Sequence, residues 1–320
     1  MKGRTAGMGG GAEARGLRSD PLRPAARESV EVPDILRRIV AARRQRYGVA
    51  EGSSVFFPFN ESFSSSSVSS LTPTASVSLD SKSVRHSMEN PFLGALRARA
   101  GRGAIAEVKL GSPRLGSLAG TIDPERQAAA YARGGAAALS VVVEPDFFFG
   151  SWELLARTKA ACGLPAVAKD FVVSPRQLDE AVAAGADAIL LVAALYSAAE
   201  LRGWAERARA LGLVPLVETH DERDLALLDE AGPGSGPGPR SGWELVGVNN
   251  RDLRDFSVDL ERSIRMAPRL PAGALRVAES GIASRSDVDR LAAAGFDAFL
   301  VGESLLLARD PEAKLAELFG

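Results

Sequence analysis

The sequence predicts an α/β protein of the (β/α)8 barrel class, a TIM barrel with an N-terminal helical extension. Three observations carry that expectation. From Ala104 onward, eight short apolar runs alternate with eight longer segments of helical periodicity. The alternating part fills roughly 215 residues, near the size typical of such barrels. No Gly-rich dinucleotide fingerprint follows the first run, so closure is favoured over the alternative, a doubly wound open sheet.

Taken in order, residues 1–32 open with "MKGRTAGMGGGAEARG", rich in Gly, Arg and Ala without apolar periodicity, the composition of a disordered tail. In "DILRRIVAARRQRYG", Ile35, Leu36, Ile39 and Val40 fall on one side, which predicts an amphipathic helix over 33–48. Its Arg37, Arg38, Arg43, Arg44 and Arg46 read as a solvated basic face rather than a phosphate or RNA contact. Residues 49–89 contain a serine-rich stretch, 53–83, that breaks from the Ala/Arg/Gly-rich chain around it. A flexible linker or insertion is the main reading, and a local coding artefact the alternative. "NPFLGALR" resumes the amphipathic pattern and opens the barrel domain, 90–320.

The eight runs are "AIAEVK" (104–109), "ALSVVV" (138–143), "PAVAKD" (165–170), "AILLVA" (188–193), "VPLVET" (214–219), "ELVGVN" (244–249), "LRVAES" (275–280) and "AFLVGE" (298–303). Helical segments such as "DPERQAAAYARGG" and "SPRQLDEAVAAGA" begin on a plausible N-cap and close on Gly. The Gly/Pro-rich "AGPGSGPGPRSG", 231–242, reads as a loop insertion between the fifth helix and sixth strand, at the non-catalytic end.

Composition narrows the function. Almost half the residues are apolar, enough for a sizeable core, and a net charge of -1 argues against a dedicated nucleic-acid binder. Cys162 stands alone, so neither a disulfide framework nor a cysteine metal site is expected, and a reducing cytoplasm fits. Two histidines, His86 and His220, are too few for a histidine cage, so no metal is expected. No run approaches the roughly 20 apolar residues of a membrane helix, and the N-terminus lacks the apolar core of a secretory signal.

Charges stand at the strand ends. Glu107 and Lys109 close the first strand at i, i+2 and so point to one side. Lys169 and Asp170 end the third, Glu218 the fifth, and Asn249 the sixth, followed by Asn250 and Arg251. Glu279 and Ser280 end the seventh, and Glu303 and Ser304 follow Gly302 after the eighth. One such charge needs no more explanation than that polar residues stop strands. Several in one ring, at the C-terminal mouth where barrels keep their chemistry, predict a site. On this reading Lys169 faces the mouth, and Asp170 points away to brace a loop or a neighbouring cation. "ESGIAS" and "VGESL", after strands seven and eight, suit a phosphate, because close backbone approach and helix N-termini favour an anion there.

The stretches "AEVKLGSPRLG", "EPDFFFGS", "LPAVAKDFVV", "AGADAILLVAALY", "LVETHDE", "VGVNNRDL", "VAESGI" and "FDAFLVGESLL" together resemble the indole-3-glycerol phosphate synthase family of tryptophan biosynthesis, in the family's order from Asn90 to Gly320. The resemblance implies a cytoplasmic carboxy-lyase without a cofactor. It would close the ring of 1-(o-carboxyphenylamino)-1-deoxyribulose 5-phosphate with loss of carbon dioxide and water. It implies Lys169 as the acid that protonates the substrate carbonyl, a role that suits an ammonium in a partly dry pocket, whose pKa can be lowered toward that task. Glu218 would remove a proton in dehydration, and Lys109 would hold the substrate carboxylate and donate a proton, with Glu107 steadying both lysines. Asn249, Arg251, Glu279 and Ser280 would orient hydroxyls and the ring. Ser112, Gly281, Gly302 and Ser304 would hold phosphate. Phe148 and Phe171 would wall the aryl pocket, or else serve as ordinary core aromatics. Arg114, Phe149 and the serine-rich stretch depart from the family pattern. The partner expected is a small phosphorylated molecule, not nucleic acid or membrane, bound by a monomer or weak homo-oligomer. A non-catalytic phosphosugar-binding barrel and another phosphosugar isomerase remain as alternatives.

Overall fold

Each of the eight apolar runs becomes a strand, and the eight close into one parallel barrel. The structure is a computed structural model that describes residues 34–50, 89–113, 116–118, 120–232, 242–252 and 254–320. The tail over 1–32, the serine-rich 53–83 stretch, Arg114 and most of the 231–242 loop lie outside the described residues. The strands are β1 (Gly103–Val108), β2 (Ala138–Val142), β3 (Ala166–Lys169), β4 (Ala188–Val192), β5 (Val214–Thr219), β6 (Leu245–Asn249), β7 (Leu275–Glu279) and β8 (Ala298–Val301). Each pairs with its neighbours in sequence, and β1 closes the ring on β8 through Gly103–Ala298 and Ala106–Val301.

Side-chain alternation builds the interior. Ile105, Val167, Leu216 and Val277, one from each odd strand, belong to the cluster that fills the barrel. Leu190, Leu245 and Leu300 of the even strands join it, the stacking by alternate strands expected of such barrels. Two residues further along each odd strand, on the same side, stand Glu107, Lys169, Glu218 and Glu279. The strand-end charges are therefore the next interior layer.

Helix α2 (Pro91–Arg97) packs with the interior cluster through Phe92, Leu93 and Leu96. Asn90 caps it, accepting from Phe92 N at 2.9 Å, and its amide donates to the Asp187 and Gly212 carbonyls that precede β4 and β5. These contacts put α2 at the N-terminal end of the barrel. The outer helices start where the caps predict: Asp123, Ser174, Ser197 and Ser284 each accept a backbone N–H of the first turn. Among the described residues no helix is long and apolar enough to cross a membrane.

Helix α1 (Asp34–Tyr47) corrects one expectation. Leu36 and Ile39 are buried, but so is Arg43, at 1% exposure. Its guanidinium donates to Asp170, so it belongs to the barrel contact and not to the solvated face. The same helix places Tyr47, whose hydroxyl donates to Glu180 at 2.5 Å. Of the two partners expected for Asp170, a loop or a neighbouring cation, its buried carboxylate meets the cation, Arg43.

Candidate active site

A cavity of about 780 Å3 opens at the C-terminal ends of the strands, within the range of small-molecule sites. Glu107, Lys109, Ser112, Phe148, Lys169, Phe171, Glu218, Asn249, Arg251, Ser280, Gly281, Gly302 and Ser304 all line it. Glu279 does not. It is 1% exposed and packs against Lys169 instead.

Lys169 sits between two carboxylates, with Nζ 3.5 Å from Glu218 Oε2 and 3.4 Å from Glu279 Oε2. Burial alone would lower its pKa. The carboxylates of Glu279, Glu218 and Glu107 overcome burial and hold it above the ordinary lysine range. The lowering that burial can give a lysine is therefore outweighed here. Lys109 donates to Glu107 at 2.6 Å. Glu107 is held below the usual carboxylate range, since Lys109, Lys169 and Arg251 together outweigh its burial. Gly302 makes room for that pair, because a Cβ there would collide with Glu107 Oε1.

The loops place the rest. In "NNRDL" the two asparagines part company. Asn249 faces the cavity, and its Oδ1 accepts Arg251 N at 3.0 Å. Asn250 is fully buried and braces the helix Glu261–Met266 by accepting from Ser263 Oγ at 2.7 Å. Arg251 donates to Glu303 at 2.9 Å and to Phe256 O at 3.1 Å. Ser280 has φ 68°, left-handed for a residue that is not glycine; such backbone strain is concentrated at functional sites. Ser304 Oγ donates to Ile282 O, tying the loop after β7 to the start of the segment after β8. The rings of Phe148 and Phe171 lie 6.3 Å apart on the cavity wall.

Several residues that serve the site were not singled out from sequence. Glu144, buried after β2, accepts the backbone N–H groups of Asp146, Phe147 and Phe148 at 2.7–3.0 Å and so shapes the loop that presents Phe148. Asp255, Phe256, Val258 and Lys314 also line the cavity. His220 places Nε2 3.2 Å from Glu218 Oε1. The i, i+2 step that joins Glu107 to Lys109 also joins Glu218 to His220, so this residue was within reach of the sequence.

Residues 66–318 match the family model described as indole-3-glycerol phosphate synthase, a match that begins inside the serine-rich stretch. The indole-3-glycerol phosphate synthase of Variovorax paradoxus (strain S110) is 40% identical over 295 residues, covering 90% of this chain and 100% of that protein. That of Koribacter versatilis (strain Ellin345) is 44% identical over 224 residues, 70% of this chain and 82% of the relative. Among solved structures, a 3-hexulose-6-phosphate synthase aligns with a TM-score of 0.51 at 15% identity, over 68% of this chain and 97% of that one, a likeness of fold alone.

Proposed function

The chain belongs to the indole-3-glycerol phosphate synthase family, and from that premise we propose that its cavity closes the indole ring of 1-(o-carboxyphenylamino)-1-deoxyribulose 5-phosphate in tryptophan biosynthesis. The observation that supports this most is Lys169 set between Glu218 and Glu279, with Lys109 and Glu107 in the adjoining pair.

The chemistry needs two proton donations and one removal. The aromatic carbon that bears the carboxylate attacks the carbonyl carbon, and Lys169 protonates the carbonyl oxygen as charge develops on it. The neighbouring glutamates, Glu218 and Glu107 among them, keep this lysine charged in the free enzyme, so it arrives with its proton. What favours transfer is the basicity of the forming alkoxide, not a weakened ammonium. Carbon dioxide then leaves the aromatic carbon that made the attack, and its bonding electron pair restores the aromatic ring. The new hydroxyl departs as water with a proton from Lys109, and Glu218 takes the proton from the ring carbon beside nitrogen. The balance is two protons given and one received, so one proton enters from solvent per turnover.

Asn249, Arg251 and Ser280 orient hydroxyls, with Glu279 acting from behind through Lys169. Phe148 and Phe171 hold the aryl ring. Ser112, Gly281, Gly302 and Ser304 receive the phosphate, and Lys314 lines the same cavity as a further cation. The substrate is a small phosphorylated molecule. A fluorescence assay of indole formation tests the assignment. Lys169→Ala should lower turnover at least about a hundredfold, the scale of a lost general acid. Near-normal turnover would remove Lys169 from that role.

A further inference from the structure

The two carboxylates that flank Lys169 have unequal surroundings. The lysine itself does not distinguish them, at 3.5 Å from one and 3.4 Å from the other. Behind Glu218 stands His220, with Nε2 3.2 Å from Glu218 Oε1. Among the described residues Glu279 pairs with no cation besides Lys169, and its Oε1 is buried without a hydrogen-bond partner. The imidazole is set from its far side by Asp224, on the helix Glu222–Ala231. Asp224 Oδ2 lies 3.7 Å from His220 Nδ1 and accepts the His220 backbone N–H at 2.7 Å. Both ring nitrogens are buried and neither makes a regular hydrogen bond, so the ring meets its surroundings through these two carboxylates. The other charged groups do not break the tie, because Lys109 is taken by Glu107 and Arg251 by Glu303.

Two carboxyl groups on one lysine cannot both ionise cheaply, and they hold a proton as a pair. We propose that His220 is a positioning residue that decides which of them holds it: as an imidazolium behind Glu218 it keeps that residue ionised, and the proton resides on Glu279. The inference rests on the reading of Glu218 as the base, and it explains how one of two similar carboxylates is kept free to accept a substrate proton. The electrostatics run the same way. Glu218 is held below the usual range by Lys169 and His220 against its burial. Glu279 is pushed up to about 8 by burial and by Glu218, against Lys169. His220 is pushed up to about 10, because Asp224 and Glu218 outweigh its burial. Environments that drive two neighbouring carboxyls apart assign their roles.

The test uses His220→Gln and His220→Asn in the full chain, each checked for folding by circular dichroism. The first readout is a carbon-13 titration of glutamate carboxyls, assigned with Glu279→Gln and Glu218→Gln. In the unaltered chain the carboxyl protonated at pH 7 should be that of Glu279. In the His220 variants Glu218 should titrate at least about one pH unit higher, a tenfold change in its proton affinity. The second readout is turnover against pH: the acid limb of kcat should move upward by the same step, with KM little changed. A kcat loss with an unmoved acid limb and unmoved carboxyl titrations would leave His220 a structural residue and overturn the proposal. So would Glu218 holding the proton in the unaltered chain, which decides the matter even if both variants fail to fold. If the unaltered chain makes no indole product, the functional reading fails, while the titration still decides the role of His220.

Discussion

Glu279 combines burial, one shared lysine and a close backbone neighbour: a Cβ on Gly247 would collide with its Oε1. A carboxyl whose folded-state pKa is pushed up to about 8 binds its proton more tightly folded than unfolded. Its effect is absent below the unfolded value of about 4.3, grows as pH rises toward 8, and is destabilising throughout that window. Glu218, held low, works in the opposite sense, and its contribution is lost as pH falls below the unfolded value. Glu279→Gln keeps the shape and polarity of the protonated acid. It should therefore raise stability at pH 8 by at least about 1.4 kcal/mol relative to pH 5, the worth of one pKa unit. Urea denaturation at the two pH values checks this, and equal effects at both would place the proton elsewhere. Residues of this layer were legible because strand alternation carries them: Glu107, Lys169, Glu218 and Glu279 follow Ile105, Val167, Leu216 and Val277 by two. The protonation of Glu279 was not legible, because it depends on groups on three strands that no local pattern joins. Nor was Glu144, whose partners are backbone N–H groups with no signature in residue type.

At the scale of elements, the periodicity of the eight runs decided the barrel, and it also marked α1. What it missed is how α1 docks. An arginine on a helix with four others reads as solvated, yet Arg43 is the one that meets Asp170, 127 residues away. Gln177 Nε2 also donates to Asp170, at 2.8 Å. Even so, burial raises the Asp170 pKa against Arg43 and Gln177, so the pair does not fully offset its desolvation. Its consequence is specificity: Asp170 follows Lys169 directly, and the bridge fixes α1 to the strand end that carries the lysine. Removing one partner should be far worse than removing both. Arg43→Met should cost about 3–5 kcal/mol at pH 7 by leaving a buried carboxylate unpaired, and Arg43→Met/Asp170→Asn should recover most of that. Because the unpaired carboxyl is protonated in the folded state at acid pH, the single-variant deficit should shrink as pH falls toward 4. A double-mutant cycle by urea denaturation measures both effects. Additive costs would show that Arg43 and Asp170 are not coupled and that the bridge does not fix the helix.

Over the whole molecule, stability and chemistry occupy opposite ends of one barrel. The C-terminal layer holds Glu107, Lys169 and Glu218 on the cavity in ionised forms that burial alone would disfavour, with Glu279 buried behind Lys169. At the far end α2 sets Phe92, Leu93 and Leu96, all buried, against the apolar interior cluster. That division follows from alternation, since the same inward positions are apolar near the strand starts and ionisable at their ends. It makes the two ends separable by substitution. Phe92→Ala deletes a fully buried ring from the base and should cost about 3–5 kcal/mol, the scale for aromatic truncation in a core. It removes no group within reach of the cavity, because Ile105, Val167, Leu216 and Val277 intervene as a packed layer. Turnover per folded molecule should therefore stay within about twofold at 25 °C, as expected of a substitution at the stability face of a barrel. The check pairs a denaturation midpoint with kcat measured well below the transition. A fall in kcat to match the fall in stability would mean that strain at the base reaches the charged layer through the barrel core, and that the two ends are one mechanical unit.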